Sequence, residues 1–274
     1  MAEKIDVTSL PYAQRRLLVV MSDEDAAKAN TPPGWLNVAE AVVSDTLFKF
    51  SFFAPVIESV IDDFRGVKAR ARDKGLDMLV VGRSDAAELS FPLGHPREGV
   101  VYVGHPAAPT NYVPMAGFHR LLFEHKVVEA LRLIGSLGAT EVQVEHISGW
   151  TSTSGITGGV SLPVGAEVQI HTTAGRTSER GSHVMFTMAL SPGRAPHIPD
   201  GLLWYPHEQL WQEVARARLA SGLRAFSLDV AYTDDYGVNA ALNLAVTGIG
   251  LEVGGSFTEH QSTIWRMRGV FADA

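Results

Sequence analysis

The chain has 274 residues, 46% hydrophobic and 19% charged, with a formal net charge of −7. That balance belongs to a globular chain of one large or two modest domains and excludes a disordered one. The absence of cysteine removes disulfides, thiolate nucleophiles, cysteine zinc sites and iron–sulfur clusters together, and an acidic chain without a basic stripe argues against nucleic acid as a partner.

Residues 1–6 carry no basic stretch leading into an apolar core, so no signal peptide is expected. Leu17, Leu18, Val19 and Val20 make a short apolar run, consistent with a short buried strand or part of a helix, and Asn30, Thr31, Pro32, Pro33 and Gly34 a loop. From Asn37 the pattern turns helical. Val56, Ile57, Val60, Ile61, Phe64 and Val67 fall on one stripe, which closes with Lys74 and Gly75. The basic run Lys68, Arg70, Arg72 and Lys74 reads as a solvated helix end, where cations complement the dipole.

The runs 78–81 and 100–103 are predicted strands, the two that would add parallel pairs beside the first helices. A long helix is expected over 115–137, with Gly138 as its cap. Beyond it the period shifts to two. Val142 and Val144, then Val164 to Ile170, then Val184 to Leu190 alternate with polar residues, joined by Ser/Thr/Gly-rich loops at 151–159 and 172–182. A Pro-rich connector (192–206) leads to a helix over 207–221. Strands follow over 226–232 and 263–271. Residues 238–253 alternate weakly, but their Ala and Leu content favours a helix.

The histidine-rich middle holds His95, His105, His119, Glu124 and His125. Imidazoles serve both as acid–base groups near neutral pH and as metal ligands, and Gly-His-Pro at 94–96 and 104–106 sets two of them on stiff loops. His95, His105, His119 and Glu124 are therefore the catalytic candidates. For a metal the candidates are His95, His105 and His125 with Asp234 and Asp235, adjacent carboxylates after the 226–232 strand. His119 and His125 are six residues apart, about 240° around a helix, so they do not form the two-histidine face of a zinc helix. Asp234 and Asp235 also suit a tight turn or a helix N-cap. No phosphate loop, dinucleotide fingerprint or nucleophile elbow occurs in its required context, and no cofactor is indicated.

These readings give an α+β fold, long helices packed on a mainly antiparallel twisted sheet with extended hairpins. The chain reads as a single compact domain, 1–274, subdividing into a helix-rich 1–138 and a sheet-rich 139–274. The functional expectation is a cytoplasmic, non-enzymatic protein that self-associates as a homo-oligomer or binds a protein partner. Its composition suggests a bacterial source, and its loop-rich sheet an effector whose β-hairpins rearrange or insert into membrane on activation. The alternative is a metal- or histidine-dependent hydrolase with its site around the Gly-His-Pro loops.

Overall fold

A computed structural model describes residues 6–30, 78–150, 169–171, 183–191, 195–248 and 250–273. The helix expected over 37–75, the strand start at 164–168 and the loop tips at 151–159 and 172–182 lie outside these residues. The described elements are helices and two mostly antiparallel sheets, an α+β fold. The chain divides into two compact units, Met1–Phe118 with Tyr236–Glu259, and His119–Asp235 with His260–Ala274. The chain leaves the first unit at 118, returns at 236 and leaves again at 260.

The first unit is built on a four-stranded sheet in the order β2-β1-β3-β4, with β1 Leu17–Met21, β2 Met78–Gly82, β3 Val101–Gly104 and β4 Tyr112–Pro114. Strand β1 is a continuous apolar run because both its faces are covered, and Leu17, Leu18, Val19 and Val20 are all buried. It pairs in parallel with β2, Leu17 opposite Met78, and antiparallel with β3, Leu17 opposite Val103. Short helices α1 (Tyr12–Arg15), α2 (Asp23–Asn30) and α3 (Arg83–Ala86) flank the sheet. The start of α2 is fixed locally. The Ser22 hydroxyl accepts from the Asp25 amide (3.1 Å) and donates to the Asp25 carboxylate (2.7 Å), a reciprocal cap with three acids in the first turn.

The returning segment closes this unit. Val101 donates its amide to Glu252 O (2.8 Å) and Ala116 to Val253 O (2.8 Å), so 252–253 lie along the sheet margin. The ambiguous stretch resolves as helix over Ala240–Thr247 (α6 in chain order), capped by the Asn239 side chain, which accepts from the Leu242 amide (3.1 Å).

The second unit carries a five-stranded antiparallel sheet in the order β6-β7-β5-β9-β8. Its strands are β5 Ala139–Ser148, β6 Gln169–His171, β7 His183–Ala189, β8 Ala225–Tyr232 and β9 Thr263–Phe271. Alternation sets the faces. Phe226, Leu228, Val230 and Tyr232 of β8 are buried, as are Thr263, Trp265, Met267 and Phe271 of β9, while Ala225, Ser227 and Asp229 face water. Gly269 keeps the inward row open where a larger residue would not fit: a Cβ there would stand 2.9 Å from the Phe226 ring and 2.0 Å from Glu141 O.

Two helices complete the unit, α4 Phe118–Ser136 and α5 Gln209–Ser221. Phe123 of α4 meets Trp265 edge-on at 4.9 Å. Arg218 of α5 is buried and, among the described residues, has no carboxylate partner, its guanidinium donating to Leu137 O (3.0 Å), Leu223 O (3.0 Å) and Ala272 O (2.8 Å). Those carbonyls belong to chain ends and turns that would otherwise lack donors. Glu129 does the converse for the connector, accepting from the amides of Leu203 (2.6 Å), Trp204 (2.7 Å) and Tyr205 (2.8 Å).

Candidate functional site

The candidate histidines divide between the units, His95 and His105 in the first, His119 and His125 in the second with Glu124, Asp234 and Asp235. His95 sits on the loop before β3. The Arg97 amide donates to the Tyr102 hydroxyl (2.7 Å), and the same hydroxyl is hydrogen-bonded to His95 Nδ1, also 2.7 Å away. Burial and the Arg97 charge push the imidazole below its ordinary value, which favours its neutral form. His105 is buried at the far end of β3. Its Nδ1 accepts from the Ala107 amide (3.1 Å), and its carbonyl accepts from Arg15 (3.0 Å). Each of these rings staples its own loop.

In the second unit Glu124 is engaged by Arg120 one turn earlier on α4 (2.8 Å). His125 is held low by burial, against the opposing pull of the Glu129 carboxylate. Asp234 and Asp235 enter a tight turn that Tyr236 and Gly237 complete with left-handed backbone, φ 51° and 69°. Among the described residues, no group of three His, Asp or Glu side chains is placed to hold a metal ion.

His119 is the candidate with the richest surroundings. Carried inward by the first turn of α4, it is wholly buried, with Nδ1 2.9 Å from the Tyr232 hydroxyl at the end of β8. The His260 ring stands edge-on to it at 5.3 Å and lies 5.6 Å from the Tyr232 ring. Trp150, Phe123 and Trp265 continue the aromatic wall, and Trp265 Nε1 donates to Trp150 O (2.9 Å). Nε2 of His260 is buried and has no hydrogen-bond partner among the described residues. Sequence reasoning found His119 but neither Tyr232, 113 residues away, nor His260, which lies in a polar loop without periodicity.

A different kind of site lies at the margin of the same sheet. Among the described residues strand β8 pairs with β9 on one side only, Ala225 opposite Val270 through to Tyr232 opposite Thr263. The Phe271 amide donates to Arg224 O (2.8 Å), so even-numbered residues of β8 direct their backbone groups at β9. The odd-numbered ones point outward, and the Lys126 ammonium accordingly reaches Ala231 O (2.8 Å) from outside. For the N–H and C=O groups of Ser227 and Asp229 there is no backbone partner beyond this edge among the described residues. Asp229 does not guard the edge, because Arg266 holds its carboxylate back with two hydrogen bonds (2.6 and 2.8 Å), keeping it below the usual carboxylate range.

Lys126 closes one end of the edge. Besides Ala231 O it meets Glu208 (2.5 Å) and lies over the Trp204 ring. Among the described residues no helix is long and apolar enough to cross a membrane. The uncharged stretch 237–251 spends its apolar residues on the eight-residue α6. The chain matches no protein-family model, no curated protein and no solved structure.

Proposed function

We propose that this is a non-enzymatic, self-associating interaction protein that binds through its second unit's sheet. The observation that carries this reading is the outward row of backbone donors and acceptors at Ser227 and Asp229, on an eight-residue edge strand whose only charged side chain is neutralised from within. Unpaired strand edges are templates for pairing, and proteins that do not use them blunt them with charge, proline or a bulge. None of these devices interrupts 225–229. Main-chain hydrogen bonds across such an edge supply affinity without any catalytic group.

Sedimentation velocity and native mass spectrometry over a micromolar concentration series test the reading. An assembly at a multiple of 29.6 kDa supports it, and a monomer at every concentration, with no captured protein partner, overturns it. Leakage of dye-loaded liposomes by the assembled sample would extend the reading to a membrane-inserting effector.

A second reading, a histidine-dependent hydrolase, is favoured by one arrangement. Two imidazoles and a phenol meet at His119, Tyr232 and His260, with Nε2 of His260 left for a further group. Paired titratable groups of this kind transfer protons in hydrolysis. Turnover of an ester or amide panel that His260→Gln abolishes while thermal stability is kept would support this reading, and no turnover of any panel member would overturn it.

A further inference from the structure

Resting on the self-association reading, we infer that the partner on β8 is a second copy of the same strand, docked antiparallel about a two-fold axis at Leu228. An antiparallel strand meeting its own copy makes an isologous contact that closes at the dimer. With the axis at Leu228, Ser227 of one copy faces Asp229 of the other, twice. All four outward groups of those residues are then satisfied by narrow pairs of N–H···O bonds. The contact ends at those pairs, because Lys126 holds the Ala231 carbonyl from outside and closes the edge there.

The side chains on the exposed face choose this register. Within one copy the rows across the sheet run Glu145, Arg266, Asp229 and Gln143, Arg268, Ser227. Joined about Leu228, they become a single row: Glu145, Arg266 and Asp229 of one copy, then Ser227, Arg268 and Gln143 of the other. Charge alternates across the junction, and each Asp229 lies between its own Arg266 and, beyond a serine hydroxyl able to donate to it, the other copy's Arg268. Moving the axis one residue toward the C-terminus, to Asp229, would set the two carboxylates directly opposite, which is repulsive for cross-strand neighbours. Moving it to Ser227 would place Asp229 against Ala225 and forfeit the alternation. The apolar face is indifferent to the choice, because Phe226, Leu228 and Val230 are already buried within each copy.

The chain has no cysteine, so single thiols can be introduced without background. Ser227→Cys and Asp229→Cys proteins are prepared separately, mixed and oxidised. Directly opposed residues of a hydrogen-bonded pair have Cα atoms about 5.5 Å apart, within disulfide reach. The account expects a covalent dimer from the mixture and several-fold less from either protein alone. Cross-linking by Ser227→Cys alone, equal to or above that of the mixture, overturns the register. Ser227→Pro is the companion variant. It removes an outward N–H that the β8–β9 ladder does not use, so the fold is kept, as checked by circular dichroism, and the dimer is lost. A wild-type assembly that survives Ser227→Pro overturns the edge contact while leaving self-association standing. A wild-type chain that never assembles overturns both.

Discussion

The Tyr102 hydroxyl stands 2.7 Å from Nδ1 of His95 while accepting from the Arg97 amide, so one phenol ties the histidine to the loop that carries it. The Phe91 ring, edge-on to Tyr102 at 4.9 Å, packs the same loop from the other side. Arg97→Gln removes the cation that, after burial, holds the His95 imidazole below its ordinary value. The His95 titration, followed by NMR of its ring protons, is expected to move upward toward the ordinary value of about 6.5. An unchanged titration would show that burial alone sets it.

Acidification should reveal two such histidines. His95 and His125 are both held below the ordinary value, chiefly by burial, so the folded state resists protonation where the unfolded chain accepts it. The stability they contribute is fully present above the unfolded value of about 6.5. It declines as pH falls from there toward their lowered folded values, and no further below them. Urea denaturation at stepped pH is expected to show this decline, and His125→Gln to flatten part of it. A profile unaffected by the substitution would contradict the assignment.

Glu129 tests how the Pro-rich connector is held. Its buried carboxylate accepts three successive amides at 203–205. Glu129→Ala orphans all three and is expected to cost about 3 kcal/mol or more in chemical denaturation, since buried unpaired donors cost about 1–3 kcal/mol each. Hydrogen exchange at the amides of Leu203, Trp204 and Tyr205 should accelerate with it. A loss below about 1 kcal/mol would mean that the amides find other acceptors.

Gly237 is a test of local geometry. At φ 69° a side chain is disfavoured, and a Cβ would stand 2.1 Å from Arg16 Nη1, the group that donates to Tyr236 O (3.3 Å). Gly237→Ala is expected to lower stability by about 1–2 kcal/mol from the left-handed backbone alone, with more if Arg16 is displaced. A thermal midpoint equal to that of the wild type would contradict this.

Much of the sheet architecture was legible in the sequence because its cause is local. The alternation at 226–232 and 263–271 records one wet and one dry face, and the unbroken Leu17–Met21 run records a strand covered on both sides. The return of 236–259 to the first unit was not legible, since nothing in Val238 or Val253 says which distant strand it will accompany. The candidate site shows the same limit. Residue type pointed to His95 and His105, whose rings are tied to Tyr102 and to the Ala107 amide, bonds no spacing rule encodes. Tyr232 and His260, which meet His119, are brought there by β8 and the loop before β9. The edge position of β8 among the described strands was beyond reach as well, because strand order in a sheet is a long-range property that periodicity does not record.

The central claim, that β8 is an association surface, is tested most directly at the outward amides of Ser227 and Asp229. Their hydrogen exchange would be followed by NMR while the protein concentration is raised across the micromolar range. The account predicts fast exchange in dilute solution and slow exchange at high concentration, with the inward amides of Leu228 and Val230 slow throughout. Fast exchange at Ser227 and Asp229 at every concentration would contradict it.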